Sequence, residues 1–350
     1  MAVSVGQVDP VPGFAQYLRL TGRGAAHVRE QLERHQVWVY VLAIGAGLAL
    51  GSGLPAAGKA LQILVWPVLG TLLYATFTQV PLVQLPSALR DWRFLGALCV
   101  GNFLALPVLV WGLLSLLPDD PAIRLGVMLV LLVPCTDWFI SFTHLGRGDT
   151  GRAIAATPVL LLGQLILLPV YLWLFLGEAV LELAVGSHLL AAFAGLILLP
   201  LMLAWITGHL AERSSSVDRA VRLLGSLPAP LLAVVVFLIA ASQVHLVVDT
   251  LGVLAPVLLV FLLFLLGAAL VGKGLGRVFR LPVASARTLV FSLGTRNSFV
   301  VLPLALTLGD SLQAAVVVIV FQSLVELFGM VAYLHWVPRW LIRSRTSSSA

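Results

Sequence analysis

The stretch Val133-Pro134-Cys135-Thr136-Asp137 interrupts a long hydrophobic run, and Thr295-Arg296-Asn297-Ser298 interrupts another about half a chain later. Lipid cannot hydrogen-bond the backbone groups that a helix break frees, nor can it solvate an aspartate or an arginine. Such clusters survive only where they face the interior of a helix bundle or a water-filled cavity. Paired interruptions at corresponding places in two halves of a chain indicate the binding site of a transporter.

The composition is that of an α-helical membrane protein. Of the 350 residues, 60% are hydrophobic and 10% are charged, and the mean hydropathy is +1.05. A soluble domain carries roughly 25% charged residues. The apolar runs are long and do not alternate with polar residues, which excludes an outer-membrane β-barrel. We therefore predict an all-α polytopic membrane protein.

The hydrophobic runs predict ten transmembrane helices. They cover residues 37–52, 60–80, 94–117, 123–145, 153–177, 187–210, 226–247, 251–271, 284–308 and 311–336. An N-terminal arm, residues 1–36, precedes them and a short tail, residues 341–350, follows. The arm contains no signal-peptide core, so we expect it to be cytoplasmic.

The positions of lysine and arginine predict the orientation of these helices. With the N-terminus in the cytoplasm, 18 of the 21 lysine and arginine residues fall in cytoplasmic segments, as the positive-inside rule requires. Lys59 and Arg124 fall in outer loops, and Arg296 lies within a span. We expect a multi-pass protein of the cell (plasma) membrane with both termini in the cytoplasm. Because the basic residues are scattered over six segments, they form no face for nucleic acid.

Five helices in each half would give the halves opposite orientations. We assign the first five-helix repeat to residues 37–177 and the second to residues 187–340. Each half ends with an interrupted helix, a Gly-Asp turn (Gly148-Asp149 or Gly309-Asp310) and a long helix. If the interrupted fourth and ninth helices cross, their freed backbone ends and side chains make one small polar site.

These motifs resemble those of the arsenical-resistance (arsenite) efflux permeases of the bile acid:sodium symporter superfamily. The resemblance rests on Cys135 with the Gly-Asp turn after it, on the polar break 295–298, and on Gln322-Ser-Leu-Val-Glu326 in the tenth span. It extends over residues 37–340. It implies ten helices as two inverted repeats, with the broken helices 4 and 9 crossing in a core domain beside a panel domain.

The resemblance also implies an activity, which is extrusion of trivalent arsenite, and in some members antimonite, by proton antiport. Cys135 matches the substrate thiolate of that family and Glu326 matches its proton-linked carboxylate. The chemistry agrees, because trivalent arsenic is a soft Lewis acid that favours thiolate, and a carboxylate in mid-span commonly carries protons. Cys99 lies on an apolar face of the third span, and we interpret it as structural.

The other polar residues at the two breaks are assigned to the same site. We predict that Thr136, Asn297 and Ser298 bind the hydroxyl groups of the substrate or coordinate a cation. Asp137 and Arg296 are predicted to take part in ion coupling or to form an ion pair where the helices cross, since each is costly alone in a membrane.

A second function remains open: sodium-coupled uptake of an organic anion, as in the bile acid branch of the superfamily. Cys135 favours arsenite, whereas Arg296, a ready partner for a carboxylate, favours the anion. An enzyme is not indicated, because no His/Cys cluster has zinc spacing and no Gly-rich phosphate loop follows a strand. We expect no cofactor; the partners are the small substrate, a coupling ion (H⁺ or Na⁺) and membrane lipid.

Overall fold

The structure is a computed structural model that describes residues 23–80, 91–184, 194–244 and 250–343. In these ranges the chain is all α-helical and no β-strand is formed. The helices are α1 (Arg23–Gly53), α2 (Pro55–Phe77), α3 (Trp92–Leu114, with a π turn at Gly101–Ala105), α4 (Pro121–Leu131), α5 (Trp138–Leu145), α6 (Thr150–Ala184), α7 (Leu199–Arg213), α8 (Ser215–Leu224), α9 (Pro228–Ser242), α10 (Leu254–Val278), α11 (Val283–Gly294), α12 (Ser298–Leu306) and α13 (Ala314–Trp336).

Within the described ranges, five helices are long and apolar enough to cross a membrane: the stretch Ala60–Phe77 of α2, α3, the stretch Thr150–Tyr171 of α6, α10, and α13 with the π turn that extends it to Leu341. A sixth is counted if α8 and α9, bent by 45° at their junction, form one span. This confirms a polytopic all-α membrane protein. Three shorter apolar helices, Trp38–Gly53, α4 and α11, lie where the sequence predicts further spans. The number ten stays a prediction.

The first helix begins earlier than the sequence predicts. α1 starts at Arg23 and continues without a break to Gly53, so residues 23–36, assigned above to the arm, are helical. The rest of the arm, residues 1–22, lies outside the described residues. So do residues 344–350 of the predicted tail.

The break between α4 and α5 follows from the sequence around Pro134. Proline has no backbone N–H and disfavours a helical conformation in the residue before it, here Val133. α4 therefore ends at Leu131, and a new helix begins only at Trp138. The result is a pair of half-helices in place of one continuous span.

The break between α11 and α12 is shorter. Thr295 is extended, with φ −99° and ψ 138°, which ends α11. α12 restarts at Ser298, and Asn297 caps it: the Asn297 side chain accepts a hydrogen bond from the Val300 N–H at 3.3 Å. Asparagine is among the preferred residues at this capping position.

The two breaks lie against each other as a short antiparallel β-bridge. The Cys135 N–H donates to the Thr295 carbonyl at 3.2 Å, and the Asn297 N–H donates to the Val133 carbonyl at 2.9 Å. Backbone groups that neither helix can pair are thereby paired with each other, as the interior of a membrane protein requires.

Equivalent hydrogen bonds recur at a fixed spacing along the chain. Tyr171 donates its hydroxyl hydrogen to the Phe103 carbonyl at 2.5 Å, and Tyr333 donates to the Leu265 carbonyl; each bond spans 68 residues. The second bond follows the first by 162 residues (333 − 171 and 265 − 103). The same spacing separates the starts of α3 and α10, and those of α4 and α11.

The β-bridge obeys this spacing too. Residues 133, 134 and 135 of one side become residues 295, 296 and 297 of the other when 162 is added. Its two hydrogen bonds are therefore equivalents of each other. A segment paired with its own counterpart in this way has the local symmetry of a two-fold axis.

Two groups of helices pack closely. α9 packs on α1 and α2, while α4, α10 and α12 pack against α13. Contact between α4 and α13 depends on Gly126, because a Cβ at that position would lie 2.9 Å from the Ala315 Cα and 2.9 Å from the Val318 Cβ. Small residues let membrane helices approach this closely. The packing holds α13, which carries Glu326, beside the first half-helix.

We predict that Gly126→Ala destabilises the protein, because the added methyl group meets the backbone of α13. Gly112→Ala in α3 is the matched control: no described atom lies within 4 Å of the position of its Cβ, and glycine inside a helix costs about 0.5–1 kcal/mol relative to alanine. Thermal unfolding in detergent should give a lower midpoint for Gly126→Ala and an unchanged or higher one for Gly112→Ala. Equal midpoints would contradict the close contact between α4 and α13.

Candidate transport site at the helix breaks

One peptide group connects Cys135 with Glu326. The Thr295 carbonyl accepts a hydrogen bond from the Cys135 N–H at 3.2 Å, and the N–H of Arg296 donates to Glu326 Oε2 at 2.9 Å. This carbonyl and this N–H belong to the same planar peptide unit. A change in the charge of Glu326 therefore acts on a peptide that also holds the backbone at Cys135.

The Cys135 side chain is 4% exposed and lies at the N-terminal end of α5. The backbone N–H groups of Asp137 and Phe139 approach its sulfur, and the Glu326 carboxylate is close enough to interact with it electrostatically. The N–H groups at the start of a helix interact favourably with negative charge. Cys99, by contrast, is only partly buried; both cysteines are free thiols.

Glu326 is buried in the middle of α13. Its Oε2 atom accepts hydrogen bonds from the Arg296 N–H and from Gln322 Nε2, the latter at 2.6 Å, whereas Oε1 has no hydrogen-bond partner among the described residues. Gln322 Oε1 in turn accepts from Ser298 Oγ at 2.9 Å. A buried carboxylate whose second oxygen is unpaired is open to protonation, and carboxylates at this depth are usually functional.

The Arg296 guanidinium caps the C-terminal ends of both interrupted helices. It donates to the Leu131 carbonyl at the end of α4 at 3.2 Å, and to the Ser292 and Leu293 carbonyls at the end of α11 at 3.0 and 2.9 Å. It also donates to Asn102 Oδ1 at 2.9 Å. The last carbonyls of a helix are unpaired and carry a negative partial charge. One buried cation therefore satisfies two helix ends at once.

The expected ion pair between Arg296 and Asp137 is not formed. Besides its four oxygen acceptors, the guanidinium lies 5.5 Å from the centre of the Phe264 ring, and no salt bridge links it to Asp137, which is buried where α5 begins. The physical reason is that two helix ends offer a cation several fixed oxygens, whereas Asp137 lies beyond the break on the side of α5. Both Nη atoms of Arg296 are occupied by these acceptors, whereas its Nε has no hydrogen-bond partner among the described residues.

The three neutral residues predicted for the site lie together at the breaks. Thr136, Asn297 and Ser298 are all buried, at 2%, 3% and 6% exposure. Asn297 Nδ2 donates to Thr136 Oγ1 at 3.4 Å, which links the two breaks by side chains as well as by backbone. Asn297 and Ser298 also have structural tasks, the first as the cap of α12 and the second as the donor to Gln322.

The site includes residues to which sequence reasoning assigned no role. Asn102 and Gln322 contact Arg296 and Glu326 directly. A signal for both existed, since each is an amide in the middle of an apolar span. The backbone carbonyl groups that accept from Arg296 could not be predicted from the sequence, because every residue has a carbonyl group and the pattern of residue types does not show which ones are unpaired. Among the described residues, no group of three His, Cys, Asp or Glu side chains could hold a metal ion.

Comparison with known protein families identifies the family of this chain. Residues 66–250, more than half of the sequence, match the Sodium Bile acid symporter family, so the chain belongs to that family. It is a multi-pass membrane protein of a family of transporters that move small molecules with coupled ions. A comparison with curated proteins gives no match. The family match includes the first break with Cys135, whereas the second break and Glu326 lie beyond its end.

We predict that Arg296 and Asn102 depend on each other for stability, while Arg296 and Asp137 do not. In a double-mutant cycle, Arg296→Met and Asn102→Leu should show a coupling of about 1–3 kcal/mol, because the first change leaves Asn102 Oδ1 without its donor and the second removes the side-chain acceptor of the guanidinium. Arg296→Met and Asp137→Asn should add to within about 0.5 kcal/mol. Reversible unfolding in mixed detergent micelles measures both cycles. A larger coupling with Asp137 than with Asn102 would contradict the arrangement at the helix ends.

Proposed function

We propose that the protein is a secondary active transporter that extrudes trivalent arsenite, and also antimonite, across the cytoplasmic membrane by proton antiport. The observation that carries the proposal is the peptide between Thr295 and Arg296. Its carbonyl accepts a hydrogen bond from the backbone N–H of Cys135, the residue whose thiol is the soft ligand for arsenic, and its N–H donates to the buried carboxylate of Glu326. The backbone of the proposed substrate ligand and the proposed proton acceptor are thus linked through one rigid peptide group, which supports coupling between them.

The proposal includes an architecture: ten transmembrane helices in two inverted repeats, residues 37–177 and 187–340, with both termini in the cytoplasm. The constant spacing of 162 residues supports the repeat, since it relates α3 to α10, α4 to α11 and the two sides of the β-bridge. The bundle around α13 would be the core domain, and α1, α2 and α9 would belong to the panel domain. Alternating access is then a movement of the two domains around the fixed breaks.

Capture of arsenite at Cys135 is a ligand exchange. An S–As bond forms, one As–O bond breaks, and the thiol proton leaves with the released hydroxide as water. Arsenic remains trivalent, so no oxidant or reductant is consumed. A single thiol ligand gives reversible capture, because water reverses the exchange on the other side of the membrane. Thr136, Asn297 and Ser298, buried beside the thiol, are candidates to hydrogen-bond the remaining hydroxyl groups.

Coupling runs through Glu326. When the carboxylate is ionised, the Arg296 N–H makes a charge-assisted hydrogen bond, which is roughly twice as strong as a neutral one. Protonation of Glu326 weakens that bond and loosens the peptide whose carbonyl holds the Cys135 N–H. Proton binding at Glu326 and arsenite binding at Cys135 therefore influence each other, although different side chains bind the proton and the arsenite. Asp137, buried at the start of α5, would set the charge balance of the same site.

Cys135→Ser should abolish proton-driven uptake of arsenite into everted membrane vesicles, because a hydroxyl group is a hard ligand of nearly the same size. Cys99→Ser is the matched control and should transport like the wild type, since Cys99 lies within the continuous helix α3, is only partly buried, and is not proposed as a ligand. Arsenite accumulation over time measures both variants. Full transport by Cys135→Ser would exclude the thiol mechanism.

Glu326→Gln should abolish proton movement linked to arsenite and leave arsenite binding detectable. The amide keeps an oxygen for the Arg296 N–H but has no site that gains and loses a proton near neutral pH. A pH-sensitive dye inside everted vesicles reports the proton flux, and binding of arsenite to the purified variant reports the site. If the variant still exchanges protons for arsenite at the wild-type ratio, the coupling group lies elsewhere.

The second candidate function is sodium-coupled uptake of an organic anion. The family match favours it, and so do the neutral oxygen ligands of Thr136, Ser298 and Gln322, which suit a hard cation. Against it, both Nη atoms of Arg296, the residue proposed to bind the anion, already donate to other oxygen atoms of the protein. A sodium gradient imposed at fixed pH separates the two candidates, because it would drive wild-type transport only under the second.

A further inference from the structure

Gln164, in α6, is a buried amide that the site described so far does not use. Its side chain is 2% exposed, and neither Nε2 nor Oε1 has a hydrogen-bond partner among the described residues. An unpaired buried polar group costs about 1–3 kcal/mol. Native proteins retain few such groups, so each one calls for an explanation.

The internal spacing of the chain accounts for the position of Gln164. Adding 162 to its number gives Glu326. By this spacing, Gln164 occupies the position relative to the first break that Glu326 occupies relative to the second. The counterpart of Arg296, which donates its N–H to Glu326, is Pro134. Proline has no N–H to donate. The bond that holds Glu326 thus has no equivalent in the first half, and the amide of Gln164 is left unpaired.

We propose that the Gln164 amide binds the substrate and completes the site opposite Glu326. This inference rests on the proposed function. After capture at Cys135, arsenite keeps two hydroxyl groups, each able to donate and to accept a hydrogen bond. The amide offers one acceptor at Oε1 and a donor pair at Nε2, so it can bind both hydroxyls. The ligand class is a small neutral polyhydroxy species of a soft element.

Stability and transport measured together distinguish a residue that binds substrate from a residue that only stabilises the fold. If Gln164 binds the substrate, Gln164→Leu removes an amide that is unpaired in the protein without substrate. The variant should therefore keep its stability but transport arsenite less well. Gln322→Leu in α13 is the matched control, because that amide is paired with Ser298 and Glu326. Its replacement should lower the midpoint of thermal unfolding by orphaning both partners.

The test measures stability and arsenite kinetics on the same variants. Gln164→Leu should unfold at the wild-type midpoint or above it, and its KM for arsenite in everted vesicles should rise about tenfold, the effect of losing roughly one good hydrogen bond. An unchanged KM overturns the proposal, and so does a lowered unfolding midpoint, which would show that the amide is paired. Failure of the wild type to transport arsenite sinks the proposed function as well. An unchanged Gln164→Leu beside an inactive Cys135→Ser sinks only this inference.

Discussion

The structure depends on the contact between two helix breaks. Each break frees backbone groups that lipid cannot satisfy, and the two breaks satisfy each other through the bonds from Cys135 to Thr295 and from Asn297 to Val133. Neither interruption would be tolerable in a membrane alone. The site therefore exists only because the halves of the chain bring equivalent segments, 162 residues apart, to the same place.

The ends of the half-helices create a second requirement, which Arg296 meets. Four half-helices meet around the breaks, and the C-terminal ends of α4 and α11 present unpaired carbonyl groups. A guanidinium donates to several oxygens in a fixed geometry, and here it serves three carbonyls and the Asn102 amide. The backbone of the same residue holds Glu326. One arginine thus caps two helix ends with its side chain and holds the Glu326 carboxylate with its backbone, which explains how a charge can be buried in mid-span.

Much of this could be predicted from the sequence. Pro134 breaks a helix by its covalent structure, and polar residues inside apolar runs had to face inward, so both breaks were found correctly. The ion pair between Arg296 and Asp137 was predicted wrongly. Charge pairing is only one way to stabilise a buried cation, and sequence does not show where helix ends leave free carbonyls. The structure does not test the predicted number of ten transmembrane helices, because half-helices such as α4 are too short to be counted as membrane spans by themselves.

The most direct test of the central claim is the response of Glu326 to arsenite. Infrared difference spectra of the purified protein, recorded with and without arsenite, report changes in buried carboxyl groups. The account predicts an arsenite-induced change in a carboxyl band that disappears in Glu326→Gln and also in Cys135→Ser, since both the carboxylate and the thiol act through the Thr295–Arg296 peptide. Arsenite bound to the wild type with no change in any carboxyl band would contradict it.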